Sequence, residues 1–286
     1  MTSVIAFANQ KGGVAKTTSA IALAQSLALD GKKVLFFDLD PQENASNTLR
    51  LDPDKPNLYD FMTAQEEDRS VFQSCLQTVE GCRNISAIRG NLQLSAADLM
   101  FNRQGREFIL RERLEPFKED FDVIIIDTPP SLGILTVNAL TCSDTVIVPV
   151  SPDGYSLQGF YQLNDNIKLI KKYSNPALKV GGILITRYVP NTIISREIKK
   201  IAQEYARMAG TKIYETAIRQ TVVVSESISA QQSIVQFAPD STAAQDYRAF
   251  AREIKRDELT KGGKDRGNQE SRLPTKHSRD VSDIER

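Results

Sequence analysis

The chain has no tryptophan and a single histidine, His277, among its 286 residues. That histidine lies in a polar C-terminal stretch, which argues against imidazole catalysis and histidine–zinc chemistry. Cysteine is equally scarce. The three present, Cys75, Cys82 and Cys142, form no Cys-x-x-Cys pair, and their odd number predicts reduced thiols packed as small apolar side chains. No apolar run approaches the roughly 18 residues of a membrane span. No charged-then-apolar leader opens the chain, so a cytoplasmic protein is expected. Net charge is missing too, because 36 Lys+Arg balance 36 Asp+Glu. The balance hides an asymmetry: residues 1–160 hold 14 Lys+Arg against 21 Asp+Glu, a net −7, and residues 161–256 hold 15 against 8, a net +7. A neutral chain can still bind a polyanion through such a local excess, since phosphate contacts are made by nearby charges.

What the chain does have is a series of short apolar runs, each ending in polar chemistry. Val4-Ile5-Ala6-Phe7-Ala8 reads as a buried strand and is followed by Asn9-Gln10-Lys11-Gly12-Gly13-Val14-Ala15-Lys16-Thr17-Thr18, then by a helical pattern through Ala28. A strand, a glycine turn and a helix that opens on Lys-Thr is the setting of a phosphate-binding loop. Backbone N–H groups and the helix dipole attract phosphate there. Lys16 supplies a point charge to the β- and γ-phosphates, and Thr17 a hydroxyl for Mg²⁺. The usual spacing, G-x-x-x-x-G-K-[ST], fails at both outer glycines, which are Gln10 and Ala15. Alanine resists positive φ, so an ordinary backbone conformation is expected at Ala15.

Two more runs end in acids. Val34-Leu35-Phe36-Phe37 leads into Asp38-Leu39-Asp40, and Val123-Ile124-Ile125-Ile126 into Asp127-Thr128-Pro129-Pro130. Ligands of open α/β sheets bind at the carboxyl ends of strands, and an apolar strand ending in Asp delivers a carboxylate to Mg²⁺, directly or through water. Any one of these acids alone reads equally well as a helix cap; three of them at the ends of two apolar strands do not.

Further along, strand and helix patterns alternate: a helical stretch from Ile134, a strand over Thr145–Val150, a helix over Ser156–Tyr173, a strand over Gly181–Thr186, and a helix over 194–208. This predicts an α/β fold with one doubly wound, mostly parallel sheet and helices on both faces, of the P-loop NTPase type. Residues 52–118 are less regular and are expected to decorate the sheet. One domain is expected over 1–256, with a polar tail over 257–286 that lacks apolar periodicity and reads as disordered.

The loop Lys11-Gly12-Gly13-Val14-Ala15-Lys16-Thr17-Thr18 resembles the deviant Walker A loop of the ParA/MinD ATPases. The Asp38–Gln42 and Asp127–Ser131 segments resemble that family's Walker A′ and Walker B motifs. Similarity to the ParA/Soj branch covers most of residues 2–256, including Leu114-Glu115-Pro116, Asn138-Ala139-Leu140, Tyr155-Ser156-Leu157-Gln158-Gly159 and Ala238-Pro239-Asp240-Ser241. The resemblance implies an ATPase using ATP and Mg²⁺, slow without its activator. It also implies a homodimer with ATP sandwiched between protomers, in which Lys11 reaches the partner's nucleotide. Asp40 would place the attacking water, Asp127 support the metal, and Thr128-Pro129-Pro130 act as the switch that senses the γ-phosphate. Output would be non-specific DNA binding on the nucleoid, with a ParB-like or cargo-adaptor protein stimulating hydrolysis. The chain starts at the first strand, so the sequence-reading N-terminal extension of some plasmid members is not expected.

Where relatives carry DNA-binding arginines, this chain has Ile218-Arg219-Gln220 and then Val223. A substitute surface is predicted on the 194–208 helix, where Arg196, Lys199, Lys200 and Arg207 share one face and Ile198, Ile201, Ala202 and Tyr205 point to the core. Arg219 joins them as a candidate DNA contact. Three other outcomes stay open. A MinD-like membrane ATPase needs a terminal amphipathic helix, which the polar end Arg279–Arg286 does not offer. A nitrogenase-iron-protein-like reductase needs cluster-ligating cysteines, for which no pattern is seen. A nucleotide-locked DNA scaffold would make turnover incidental.

Overall fold

The computed structural model describes residues 2–64, 69–152 and 156–270, with backbone alone at 156–161 and 258–270. Strand β1 (Ser3–Phe7) runs through the lysine loop into helix α1 (Lys16–Leu29), and β2 (Val34–Asp38) follows. The less regular region resolves into α2 (Asn44–Thr48), α3 (Leu58–Thr63), α4 (Arg69–Cys75), β3 (Gln77–Val79), β4 (Cys82–Ile88), α5 (Ala97–Met100) and α6 (Ile109–Leu114). Then come β5 (Val123–Asp127), α7 (Ile134–Cys142), β6 (Thr145–Val150), α8 (Ser156–Tyr173), β7 (Lys179–Ile185) and α9 (Ile193–Met208). The chain closes with α10 (Val222–Ser229), α11 (Ile234–Phe237) and α12 (Thr242–Glu270).

The strands form one sheet in the order β3-β4-β2-β5-β1-β6-β7. Every neighbouring pair is parallel except β3 on β4. The fold is therefore the doubly wound α/β sheet expected from the alternating patterns. Period-two alternation divides the core between the two faces. Val4, Ala6, Leu35, Phe37, Ile124 and Ile126 pack on one side, and Ile5, Phe7, Val34, Phe36 and Ile125 on the other. Each Val, Leu, Ile or Phe among them, fully buried, contributes about 1.5–3 kcal/mol relative to exposure.

Two glycines show how closely the β7 edge is packed. A Cβ on Gly181 would lie 2.4 Å from Thr145 Cγ2, and one on Gly182 would lie 2.8 Å from the Tyr214 ring. Helix α12 packs on α1 and buries Tyr247, Phe250 and Ile254. Those side chains belong to the core and not to an exposed apolar face. The α12 backbone continues through Glu270, past the expected boundary at 256, and 271–286 lie outside the described residues. Tyr155 lies outside them as well.

Strand register sets up the chemistry. Phe7 at the end of β1 is level with Asp127 at the end of β5, and Asp127 is level with Asp38 at the end of β2. Three adjacent strands thus finish in one row, and the loops that leave them meet above it.

Candidate nucleotide site

A cavity of about 520 Å³ sits above these strand ends. Gly12, Gly13, Ala15, Lys16, Thr17 and Thr18 line it from the loop, Asp40 from the end of β2, and Pro130 from the turn after β5. Val14 is buried beneath the loop, where its carbonyl accepts the Thr186 hydroxyl at 3.0 Å. Lys11, half-buried, is not part of the lining.

Ala15 departs from expectation. It adopts φ 60°, ψ 35°, in the left-handed region, as the residue that caps α1. Gly13 is also left-handed, at φ 76°. The loop needs both reversals to wrap around an anion, and alanine accepts its reversal at about 1–2 kcal/mol, a strain of the kind found at ligand clamps.

Lys16 is almost fully buried at the start of α1, and its Nζ is 3.5 Å from the Lys11 carbonyl. Burial holds the ammonium pKa below its ordinary value, and the charges of Asp127 and Asp40 oppose that shift. A phosphate chain in the cavity would supply the negative partner that this lysine has only in part.

The two aspartates of the β2 end divide their roles by burial. Asp38 is fully buried, accepting from the Ser46 N–H at 2.8 Å, the Ser46 hydroxyl at 2.6 Å and the Asp40 N–H at 3.2 Å. Burial still pushes its carboxyl up to about 6. Asp40 lines the cavity, with Oδ1 accepting the Gln42 N–H at 3.0 Å. Asp38 is thus a support for the loop, and Asp40 the carboxylate that lines the cavity.

Asp127 is fully buried, and neither carboxylate oxygen has a partner in full hydrogen-bonding geometry, with the Thr17 hydroxyl nearby. Burial and then the Asp38 charge push it up to about 8, while the Thr17 hydroxyl and Lys16 pull it down. A buried carboxylate so weakly compensated is costly, and a divalent cation answers that cost. Among the described residues no group of three or more His, Cys, Asp or Glu side chains could hold a metal on its own. Mg²⁺ commonly takes one or two protein ligands and fills its shell with phosphate oxygens and waters. Thr17 and Asp127 fit that pattern.

Thr128 donates its hydroxyl to the Phe7 carbonyl at 2.8 Å, which anchors the start of the Thr128-Pro129-Pro130 turn to β1. Pro130 reaches the cavity. The turn after β5 thereby forms part of the cavity wall.

Several lining residues escaped the sequence reading. Thr186 and Arg187 follow β7, and the Arg187 Nη1 donates to the Gly13 carbonyl at 3.4 Å. Ile218, Gln220, Thr221, Val224 and Ser225 complete the far wall with Gln232 and Ser233. The strand-end rule that found Asp38 and Asp127 would also have found Thr186. Residues 218–223 stand out in the sequence only as a departure from the relatives' DNA-binding arginines, and no local signal marks 218–233 as a cavity wall.

Of the cationic candidates, Arg196, Lys199, Lys200 and Arg207 are all exposed on α9, as expected. Ile201, expected in the core, is 38% exposed. Arg219 lies before α10 and not on α9. Its Nε and Nη2 donate to the two Asp246 oxygens at 2.9 and 2.7 Å, and it lines the nucleotide cavity. All three cysteines are buried, and burial raises each thiol, Cys75 to about 11 and Cys142 to about 12. Thiolates for a shared cluster are not on offer. Among the described residues no helix is long and apolar enough to cross a membrane.

Known proteins agree with this geometry. A sequence model of the AAA domain matches residues 2–180. The sporulation initiation inhibitor protein Soj of Bacillus subtilis is 36% identical over 257 residues, covering 89% of this chain and 98% of that protein. The chromosome partitioning protein ParA of Myxococcus xanthus is 36% identical over 258 residues, covering 89% and 88%. Among solved structures, cobyrinic acid a,c-diamide synthase from Mycobacterium smegmatis with bound ADP and magnesium has a TM-score of 0.76 at 33% identity, covering 90% of this chain and 95% of that one. A Borrelia burgdorferi protein described as a plasmid partition protein, bound to AMPPNP, has a TM-score of 0.74 at 23% identity, covering 90% and all of that chain, and supports the fold alone. With the motif strands ending level and these matches running along most of its length, the chain belongs to the ParA/Soj family of partition ATPases, and it hydrolyses ATP with Mg²⁺.

Proposed function

We propose that this ATPase is a DNA-partitioning switch that works in the cytoplasm on the nucleoid. In this reading ATP lies in the cavity with its phosphates against the N–H groups of residues 12–17 and the start of α1. Lys16 neutralises charge that grows on the γ-phosphate during transfer. Asp40 orients the water that attacks the γ-phosphorus, giving ADP and phosphate. Thr17 and Asp127 would hold Mg²⁺, which would spread the phosphate charge. A second protomer completes the site with its own Lys11, which agrees with Lys11 standing outside the lining of its own cavity. The Thr128-Pro129-Pro130 turn reports whether the γ-phosphate is present. A ParB-like or cargo-adaptor protein sets the turnover rate.

The observation that carries the DNA output is the position of α9 in the chain. Arg187 bonds the phosphate loop at Gly13, and a short turn later α9 presents Arg196, Lys199, Lys200 and Arg207 to solvent. A nucleotide-driven shift of the loop has a direct route to that basic face. The experiment is binding to non-specific duplex DNA with ATP, ADP or no nucleotide, at two salt concentrations. Binding with ATP only, weakened by salt, is the expected result. No binding in any state would overturn the DNA reading.

A membrane reading has one observation in its favour. Ile194, Ile201 and Met208, spaced one heptad apart on α9, are 58%, 38% and 70% exposed beside the same cations. Sedimentation with anionic vesicles separates the two surfaces. A chain that pellets with vesicles and ignores DNA belongs on a membrane.

A further inference from the structure

Three residues after Asp40 the backbone takes a conformation that side chains resist. Glu43 sits at φ 56°, ψ 26°, in the left-handed region, at a cost of about 1–2 kcal/mol for a residue other than glycine. Its N–H donates to the Asp40 carbonyl at 2.9 Å, closing a turn over Asp40–Glu43. Its own carbonyl accepts the Asn47 N–H at 2.9 Å, opening α2. Gln42 and Asn44, on either side of it, line the nucleotide cavity. Glu43 is therefore the joint between the turn that carries Asp40 and the helix that carries Ser46, the partner of Asp38.

Something must hold that joint, and β4 supplies it from its carboxyl end. Arg89 follows Ile88, the last residue of β4, and only 6% of it is exposed. Its Nη2 bonds the Glu43 carboxylate, its Nη1 donates to the Pro53 carbonyl at 2.9 Å, and its Nε is buried without a partner. A buried guanidinium that lost its carboxylate would be left uncompensated, so arrangements of the loop in which Glu43 swings away are disfavoured. Gly90 adds a second hold. Its N–H donates to the Ser46 hydroxyl at 2.9 Å, and a Cβ on it would lie 2.9 Å from the Asp40 carbonyl oxygen.

We propose that Arg89 and Glu43 form a latch that sets the position of Asp40, which makes Arg89 a positioning residue for ATP hydrolysis. The latch rests on the reading of Asp40 as the water-orienting carboxylate. A left-handed joint would be met most simply by glycine. Glutamate at the joint costs backbone strain but brings a handle that a residue 46 positions away grips. The strain persists because the ion pair over-determines it.

The test measures kcat at saturating Mg-ATP, nucleotide Kd and Tm on the full chain. Arg89→Met and Glu43→Ala both leave a strained joint unheld, and kcat is expected to fall roughly 10- to 100-fold, the scale of a misplacement near 1 Å. Nucleotide Kd is expected to stay within about twofold, because the phosphate loop is untouched. Glu43→Gly removes the strain together with the handle, so kcat is expected to stay within about threefold of wild type even though Tm falls. The double variant Arg89→Met/Glu43→Gly is expected to regain the kcat that Arg89→Met alone loses. If Arg89→Met does not purify, Arg89→Lys keeps the charge but loses the fork, and an intermediate kcat is expected. A pair with only a structural role would make kcat follow Tm through the series. In that case Glu43→Gly would be as slow as Arg89→Met, and the latch would be overturned. Asp40→Asn separates the two ideas. Wild-type turnover by Asp40→Asn overturns the role of Asp40 and the latch with it. A slow Asp40→Asn beside a full-rate Arg89→Met overturns the latch alone.

Discussion

Replacing Asp127 with asparagine should change how the nucleotide-free protein responds to pH more than it changes stability at any one pH. Asp127 is fully buried, and burial together with Asp38 moves its carboxyl from 3.8 to about 8. The unfolded chain ionises this group near its ordinary value, so between the two values the folded state carries a proton that the unfolded state has lost. Stability rises with pH only where the unfolded state binds more protons. Here the folded state binds more, so stability falls as pH rises through the window. The slope is about 1.4 kcal/mol per pH unit for one proton. For a domain of this size that corresponds to a Tm loss of roughly 3–5 °C per unit. Asp38, raised to about 6, adds to the slope below pH 6. Lys16 is shifted down, and its contribution has the opposite sign at higher pH. Scanning calorimetry between about pH 7 and 8, where Asp38 is largely ionised, therefore reads mainly Asp127. The wild-type chain should lose stability across that range, and Asp127→Asn, neutral in both states, should show little slope. Saturating Mg-ADP should flatten the wild-type curve as well, because the cation favours the ionised carboxylate, and binding should release a proton that calorimetry in two buffers detects. A flat wild-type curve, or the same slope in Asp127→Asn, would refute the placement of that proton.

Three other substitutions probe separate parts of the molecule. Lys16→Ala should abolish nucleotide-dependent dimerisation and DNA binding, and wild-type dimerisation by this variant in light scattering with ATP would contradict the role of Lys16. The triple change Arg196/Lys199/Lys200→Ala should weaken DNA binding about equally on all sequences and lower the salt slope by at most ~3, about one unit per phosphate contact. An unchanged slope would move the DNA surface off α9. Gly181→Ala should lower stability by about 1–3 kcal/mol through overpacking, since the new Cβ would meet Thr145 Cγ2 and the Tyr214 hydroxyl. A denaturation midpoint equal to wild type would mean that Tyr214 yields without cost.

The parts of the site that could be read in the sequence are those whose cause is local. Phe7, Asp38 and Asp127 each end an apolar run, and parallel register converts that local position into a shared row at one edge of the sheet. The parts that stayed hidden depend on contacts between distant residues. Thr186 reaches the phosphate loop across 172 positions, and Arg219 is paired with Asp246 at the wall of the cavity. Strand β4 was missed because Arg83, Asn84 and Ser86 interrupt its apolar pattern, although its end supplies Arg89 and Gly90 to the Asp40 turn. Ala15 shows the same limit from the other direction. Residue preference predicted an ordinary backbone, and the loop overrode it because a phosphate cradle needs the reversal more than alanine resists it. Glu43 repeats that override beside the second motif. Both strained joints flank residues that line the nucleotide cavity, and neither occurs inside a strand or a long helix. Strain placed there, and held by contacts from other strands, points to loops built to hold one geometry around a phosphate, with their conformation set by the site and not by residue preference.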